Sequence, residues 1–342
     1  MRLVRFTFLG LMLLVSGIAA PLLGQTAPLQ EQQKAVLAFD LRLDLLMGSE
    51  LAKSLKLSEQ VSKMVAQQGD DGPDPNTIAQ VSGALSAPEN MEAAQSFSNG
   101  GGGKLPIEFF VKMKFKDKES AAIVMAKIIE KSPEPFERDG KTYYRPKDEG
   151  APENAVVHQF DATTLEFGTE AYVFHPNNQK VFTEALTAAW TEMPKNEAIR
   201  LAVDMAGASA LLAEAVEFGK QAGDPTVAGF LDLVDNMKNL RLSIDIASAN
   251  LITLRSTGVD SEQAEELQGG LDALLGMAKM AGGMQVNQLK QQDPAMAGVM
   301  ETILKSLEAK VDGTEVSVVI PKPAGFEEAI KNTVEKLNAG QQ

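Results

Sequence analysis

The sequence predicts an α+β fold: two related modules, each a mainly antiparallel sheet with helices packed on one face. Three observations predict it. Strand-like stretches follow one another directly, with hairpin signals between them, instead of alternating strictly with helices. Apolar residues recur at helical spacing in several separate segments, clearest at Met296, Val299, Met300, Ile303, Leu304 and Leu307. Short patterns from the first half of the chain also return, in the same order, in the second.

Residues 1–24 read as a secretory signal. Arg2 and Arg5 precede an apolar run from Phe6 to Ile18, and small residues lie at Ser16, Gly17, Ala19 and Ala20. Ala19, Ala20 and Gly24 are the candidate cleavage points, and Pro21 argues against cutting after Ala20. The apolar stretch continues to Leu23, so an uncleaved anchor is the rival expectation and the one membrane attachment foreseen.

The first module is expected over residues 35–192. Ala35 to Leu41 reads as a buried strand. A helical stretch from about Met47 carries Leu51, Leu55, Val61, Met64 and Val65, with Ser58 capping its second piece. Pro75 suits the first turn of a short helix running to Leu85. A flexible loop near 86–104 ends in Gly100–Gly103. In Ile107–Phe115, Ile107, Phe109, Val111, Met113 and Phe115 share one strand face, and Glu108, Lys112 and Lys114 share the other, with Lys116 continuing that side. Asp117 caps a helix built on Ala121, Val124, Met125, Ile128 and Ile129. Strands follow at Thr142–Arg145, Ala155–Asp161, Thr164–Phe167 and Ala171–Phe174, and a helix from Val181 to Trp190 closes the module.

The second module is expected over 197–340. A strand ends at Asp204 and a helix runs on through Phe218. Strands at Leu240–Ile246 and Leu251–Ser256 precede helices at Glu262–Met280 and Ala295–Leu307. A hairpin turns on Asp312-Gly313, with its second strand at Thr314–Ile320, and Phe326–Leu337 forms the last helix.

Four anchors relate the halves. Leu37-Ala38-Phe39-Asp40 returns as Leu201-Ala202-Val203-Asp204, 164 positions later. The capped helix start Asp117-Lys118-Glu119-Ser120-Ala121 returns as Asp260-Ser261-Glu262-Gln263-Ala264. Asp139-Gly140 is matched by Asp312-Gly313, and Pro176 before one helix by Pro323 before another. Each match alone is commonplace. The shared order, with drifting offsets, is what insertions in loops would leave.

Composition limits the function. Over 342 residues, 44% apolar and 23% charged residues describe an ordinary globular chain. A net charge of −14 excludes nucleic acid as a partner. The absence of cysteine excludes disulfides, thiolate metal sites and cysteine nucleophiles. No Gly-rich phosphate loop follows a strand, which argues against a nucleotide fold, and no cofactor is expected; without a G-x-S-x-G elbow, Ser-His-Asp catalysis has no anchor.

The candidate catalytic residues are Asp40 and Asp204, one per module. An aspartic-protease pair would need a small hydroxyl residue and glycine after each acid; Leu41-Arg42 and Met205-Ala206 stand there instead. Both aspartates are therefore expected to end a strand and accept backbone N–H groups at a helix start. His158 and Asp161 are three apart on a strand and face opposite sides, which makes a poor metal pair, and His175 adds nothing to it. Asp70–Asn76 lacks the ligand alternation of a calcium loop. Met277, Met280 and Met284 suggest soft-metal ligation, but Leu274 and Ala278 beside them favour core filling; no metal is expected. Lys112, Lys114 and Lys116 form the candidate binding strip, for an acidic partner or polyanionic glycan, against a role in edge protection or internal charge pairing.

These residues point away from an enzyme. They point to an exported protein, periplasmic or extracellular, that serves the cell envelope as a binding or structural component, with an unidentified protein or glycan partner. The alternative is an exported carboxylate-dependent hydrolase with acids meeting between the modules.

Overall fold

The computed structural model describes residues 34–59, 75–86, 108–131, 135–146, 154–174, 181–208, 233–234 and 236–339. The signal segment, Gly100–Gly103, His175, Pro176 and the expected helix through Phe218, beyond its first turn, lie outside the described residues.

Twelve strands among the described residues form one antiparallel sheet. In chain order they are β1 (Ala35–Arg42), β2 (Ile78–Ser86), β3 (Phe109–Phe115), β4 (Pro135–Arg138), β5 (Lys141–Tyr144), β6 (Ala155–Asp161), β7 (Thr164–Thr169), β8 (Ile199–Asp204), β9 (Met237–Ile244), β10 (Asn250–Gly258), β11 (Ala309–Asp312) and β12 (Glu315–Pro321). Across the sheet they run β11-β12-β10-β9-β8-β1-β2-β3-β7-β6-β5-β4. The helices are α1 (Leu43–Gly48), α2 (Glu50–Ser54), α3 (Lys118–Lys131), α4 (Glu170–Val173), α5 (Glu184–Glu192), α6 (Ser261–Gln292), α7 (Pro294–Ser306) and α8 (Phe326–Ala339). The class is α+β, with the antiparallel sheet the sequence predicts.

The two halves share a strand order: β1-β2-β3-β7-β6 on one side and β8-β9-β10-β12-β11 on the other. They meet where β1 pairs β8, with Ala38 opposite Ala202 and Phe39 opposite Leu201. In the alignment 164 residues apart, Ala38 and Ala202 are each other's counterparts, so the repeated tetrapeptides face one another. The hairpin β4–β5, which carries Asp139-Gly140, has no counterpart in the second half, because β12 holds the place of β7. The Asp-Gly anchor therefore does not join equivalent turns, although Gly140 and Gly313 both supply the positive φ that each hairpin needs.

The helices occupy both faces of the sheet rather than one. Successive strand residues point to opposite sides. Phe39 and Leu201 pack with Ala121 and Met125 of α3, while Val203, Leu240 and Leu254 pack with Ala264, Leu267 and Leu271 of α6. On the other side Ala38, Ala84, Ala202, Phe110 and Val156 pack under Leu186 and Ala189 of α5. Ala202, Ala38, Ala84, Phe110 and Gly168 are consecutive partners across the strands, and α5 lies over β8 and β1 where the row is alanine. Leu186 is fully buried there, and burial of a leucine stabilises by about 1.5–3 kcal/mol. α5 follows the first half in sequence yet lies over β8 and β9 as well as β1, so it clamps the junction.

Two segments differ from their sequence reading. Residues 78–86, expected as helix, are β2; only a 3-10 turn at Pro75–Thr77 begins helically. Residues 171–174, expected as strand, are mostly the short helix α4. The helix expected at Glu262–Met280 runs on to Gln292 as α6, closed by Asp293, which then caps α7 through the Met296 N–H at 3.2 Å.

Candidate functional site

Cross-strand register assembles the strongest polar feature. On the α5 side, Ser243, Arg200, Asp40, Ser82, Lys112, Glu166 and His158 are consecutive partners across seven strands. Opposite charges stand side by side in this row, the stabilising arrangement for cross-strand pairs. It divides into two clusters.

The first centres on Asp40. The Arg200 guanidinium donates to its carboxylate at 2.5 Å and the Gln80 amide donates at 2.6 Å. Asp40 and Arg200 are both buried. Trp190 of α5 closes the site, with its ring 4.6 Å from the guanidinium carbon. Asp40 lies inside β1 and not at a helix start, which corrects the expected cap. Its ionised partner is a base, so it is not placed to share a proton with another acid. Asp204 follows its expected role: it ends β8 and accepts from the Gly207 N–H at 3.1 Å.

The second cluster centres on Glu166. His158 Nε2 lies 2.8 Å from one of its oxygens and Lys112 Nζ 3.7 Å from the other. Both Glu166 and His158 are 1% exposed. The Tyr143 ring packs against the imidazole in a tilted contact at 4.7 Å between centroids, and burial, aided by the Glu166 charge, pushes the Tyr143 phenol up. Lys112 Nζ also sits 3.9 Å from the centre of the half-exposed Phe160 ring. A histidine held by a carboxylate is how acid–base sites orient their imidazole. Here the imidazole is walled in by Tyr143 and Phe160, and His158 Nδ1 has no hydrogen-bond partner. The imidazole is closed off from solvent, and the pair links β6 to β7.

The lysine strip is split by the fold. Lys112 is engaged by Glu166 and Phe160, whereas Lys114 and Lys116 are exposed. β3 lies between β2 and β7, so these lysines have no sheet edge to protect, and internal charge pairing is what Lys112 does. A third polar group covers the second half: Arg241 is buried and pairs with Glu192 of α5 and with Glu315 of β12, the latter at 2.5 Å. Sequence inspection missed Arg200, Glu166 and Arg241. Their alternation with apolar neighbours gave the face but not the partner.

Among the described residues, no group of three or more histidine, aspartate or glutamate side chains is placed to hold a metal ion. Nor does any described helix have the length and apolarity to cross a membrane. The methionines expected in the core are on the surface: Met277, Met280 and Met284 are 42%, 68% and 63% exposed.

No protein-family model matches the sequence, and no curated protein matches it. Among solved structures the chain is similar to TP0453 in three crystal forms. Form IV superposes with a TM-score of 0.39 at 10% identity, covering 87% of this chain and 92% of that one. Form III gives 0.37 at 11% identity over 90% and 100%, and form I gives 0.35 at 9% identity over 92% and 99%.

Proposed function

We infer that the protein is an exported, non-enzymatic component of the cell envelope, built from two copies of one module and acting through its surface. The observation that carries this reading is the state of the buried charges. Asp40 is matched by Arg200, Glu166 by His158 and Lys112, and Arg241 by Glu192 and Glu315, all on the same face of the sheet as α5. Buried groups tuned for catalysis are turned toward a cleft that admits substrate; these hold strands and a helix together. Export rests on Arg2, Arg5 and the apolar run behind them.

The test expresses the full chain in an exporting bacterial host and sequences the amino terminus of the protein released by osmotic shock. A mature chain starting between Ala20 and Gln25 supports the reading; retention in the cytoplasm with Met1 intact refutes it. The hydrolase alternative is separated by Asp40→Asn. A structural aspartate predicts a large loss of stability. A hydrolase predicts loss of turnover in a chain that still folds normally.

A further inference from the structure

The methionine row on α6 lies outside the buried core clusters of the described residues. α6 is 32 residues long, and its first half enters the core through Ala264, Leu267 and Leu271. Its second half rests on α7, where Leu304 lies over Gly282 and where Val286 is buried. At about 100° per residue, Gly282 and Val286 lie roughly 140–180° around the helix from Met277, whereas Met280 and Met284 lie within about 60° of it. The three side chains therefore share the flank turned away from α7. They are the most exposed large apolar side chains of α6.

The spacing brings the sulfurs within reach of each other. Side chains three and four apart on a helix have Cβ atoms about 5–6 Å apart, so Met280 neighbours both Met277 and Met284. A two-coordinate ion needs its sulfurs about 4.6 Å apart, taking metal–sulfur bonds of about 2.3 Å as the guide. The unbranched thioether can adjust to that separation. The flank is otherwise uncharged: Ala273, Ala281 and Gln288 lie along it, and Lys279 is roughly 160° away from Met277. No lysine of α6 itself shares that flank. In a chain without cysteine, thioethers are the softest donors available, and soft sulfur ligands select Cu(I)-type ions over hard divalent ones.

We propose that Met277, Met280 and Met284 form a surface site for a soft monovalent metal ion, Cu(I) or Ag(I), held by Met280 together with one or both of its neighbours. The donors are neutral at every accessible pH, so binding releases no proton and its affinity is flat between pH 6 and 8.

Silver nitrate titrated into the full chain in chloride-free buffer tests this, read by calorimetry and by the methyl resonances of 13C-methyl-methionine-labelled protein. One ion per chain is expected, with shifts concentrated on these three of the 15 methionines. Met280→Leu removes both neighbouring pairs and weakens binding by roughly tenfold or more. Met277→Leu and Met284→Leu each leave one pair and weaken it less. The thermal midpoint stays unchanged in all three, because the side chains are exposed. Unchanged binding in Met280→Leu, shifts spread over other methionines, displacement of Ag(I) by equimolar Zn(II), or an isotherm that never saturates each overturns the proposal.

Discussion

The Asp40–Arg200 pair shows how a single residue's meaning depends on what lies beside it. Both side chains are buried, and removal of one partner strands the other's charge in a poorly hydrated layer. Asp40→Asn and Arg200→Met should each destabilise the fold by about 3–5 kcal/mol in urea unfolding. The double replacement Asp40→Leu with Arg200→Met should cost much less than either, because no orphan charge remains. Trp190 is the only tryptophan in the chain and sits on the guanidinium, so its emission should change in Arg200→Met before any global unfolding. Asp293 gives the pH counterpart. The Met296 N–H, then Lys336 and Thr333, hold its carboxyl below the usual aspartate range. A depressed folded value means the contribution is present above the unfolded pKa and is lost as pH falls through the folded one. Asp293→Asn should therefore lower the thermal midpoint at pH 7 and flatten its fall between about pH 5 and 2, as followed by circular dichroism.

At the scale of elements, the strands that read correctly are those with clean alternation, and β3 is the best case. β2 did not read as a strand because Ala79, Ser82, Gly83 and Ala84 carry little apolar signal and Pro75 imitates a helix start. Those small residues are needed for tertiary reasons. A Cβ on Gly83 would come within 2.8 Å of the Phe39 ring and also collide with the Phe110 carbonyl, and one on Gly168 would come within 2.8 Å of Phe110 Cα. Gly83→Ala and Gly168→Ala should each cost about 1–3 kcal/mol, measured by thermal unfolding, although alanine is the better residue in an isolated chain. α4 was misread for the opposite reason. Tyr172, Val173 and Phe174 favour a strand, but buried Tyr172 and Val173 pack into the α5-side core as a single helical turn.

At the scale of the molecule, among the described residues, the halves meet at the β1–β8 strand pair, with α5 lying across it and α2 touching α8. Two copies of a module related by a two-fold axis through Ala38 and Ala202 would give this strand order, and the matching tetrapeptides 164 residues apart fit such an axis. The chain cut after Lys195 tests how far each half depends on the other. Separately expressed pieces should aggregate, because cutting exposes β1, β8 and the apolar underside of α5. Co-expressed pieces should copurify and recover the circular dichroism of the intact protein. Two pieces that are each soluble, folded and without mutual affinity would show independent domains instead.

The class, most strand and helix positions and the caps Asp117 and Asp260 are legible in the sequence, because they depend on local periodicity and on bonds made within a few residues. Folding in three dimensions added what local patterns could not. It joined both halves in one sheet, placed helices on both faces, and gave Asp40 a basic partner 160 positions away. It also put Met277, Met280 and Met284 in solvent, where helical spacing beside leucine had suggested the core. Periodicity marks a face but does not say what covers it. Coverage depends on contacts between distant segments, and those exist only after the chain has folded.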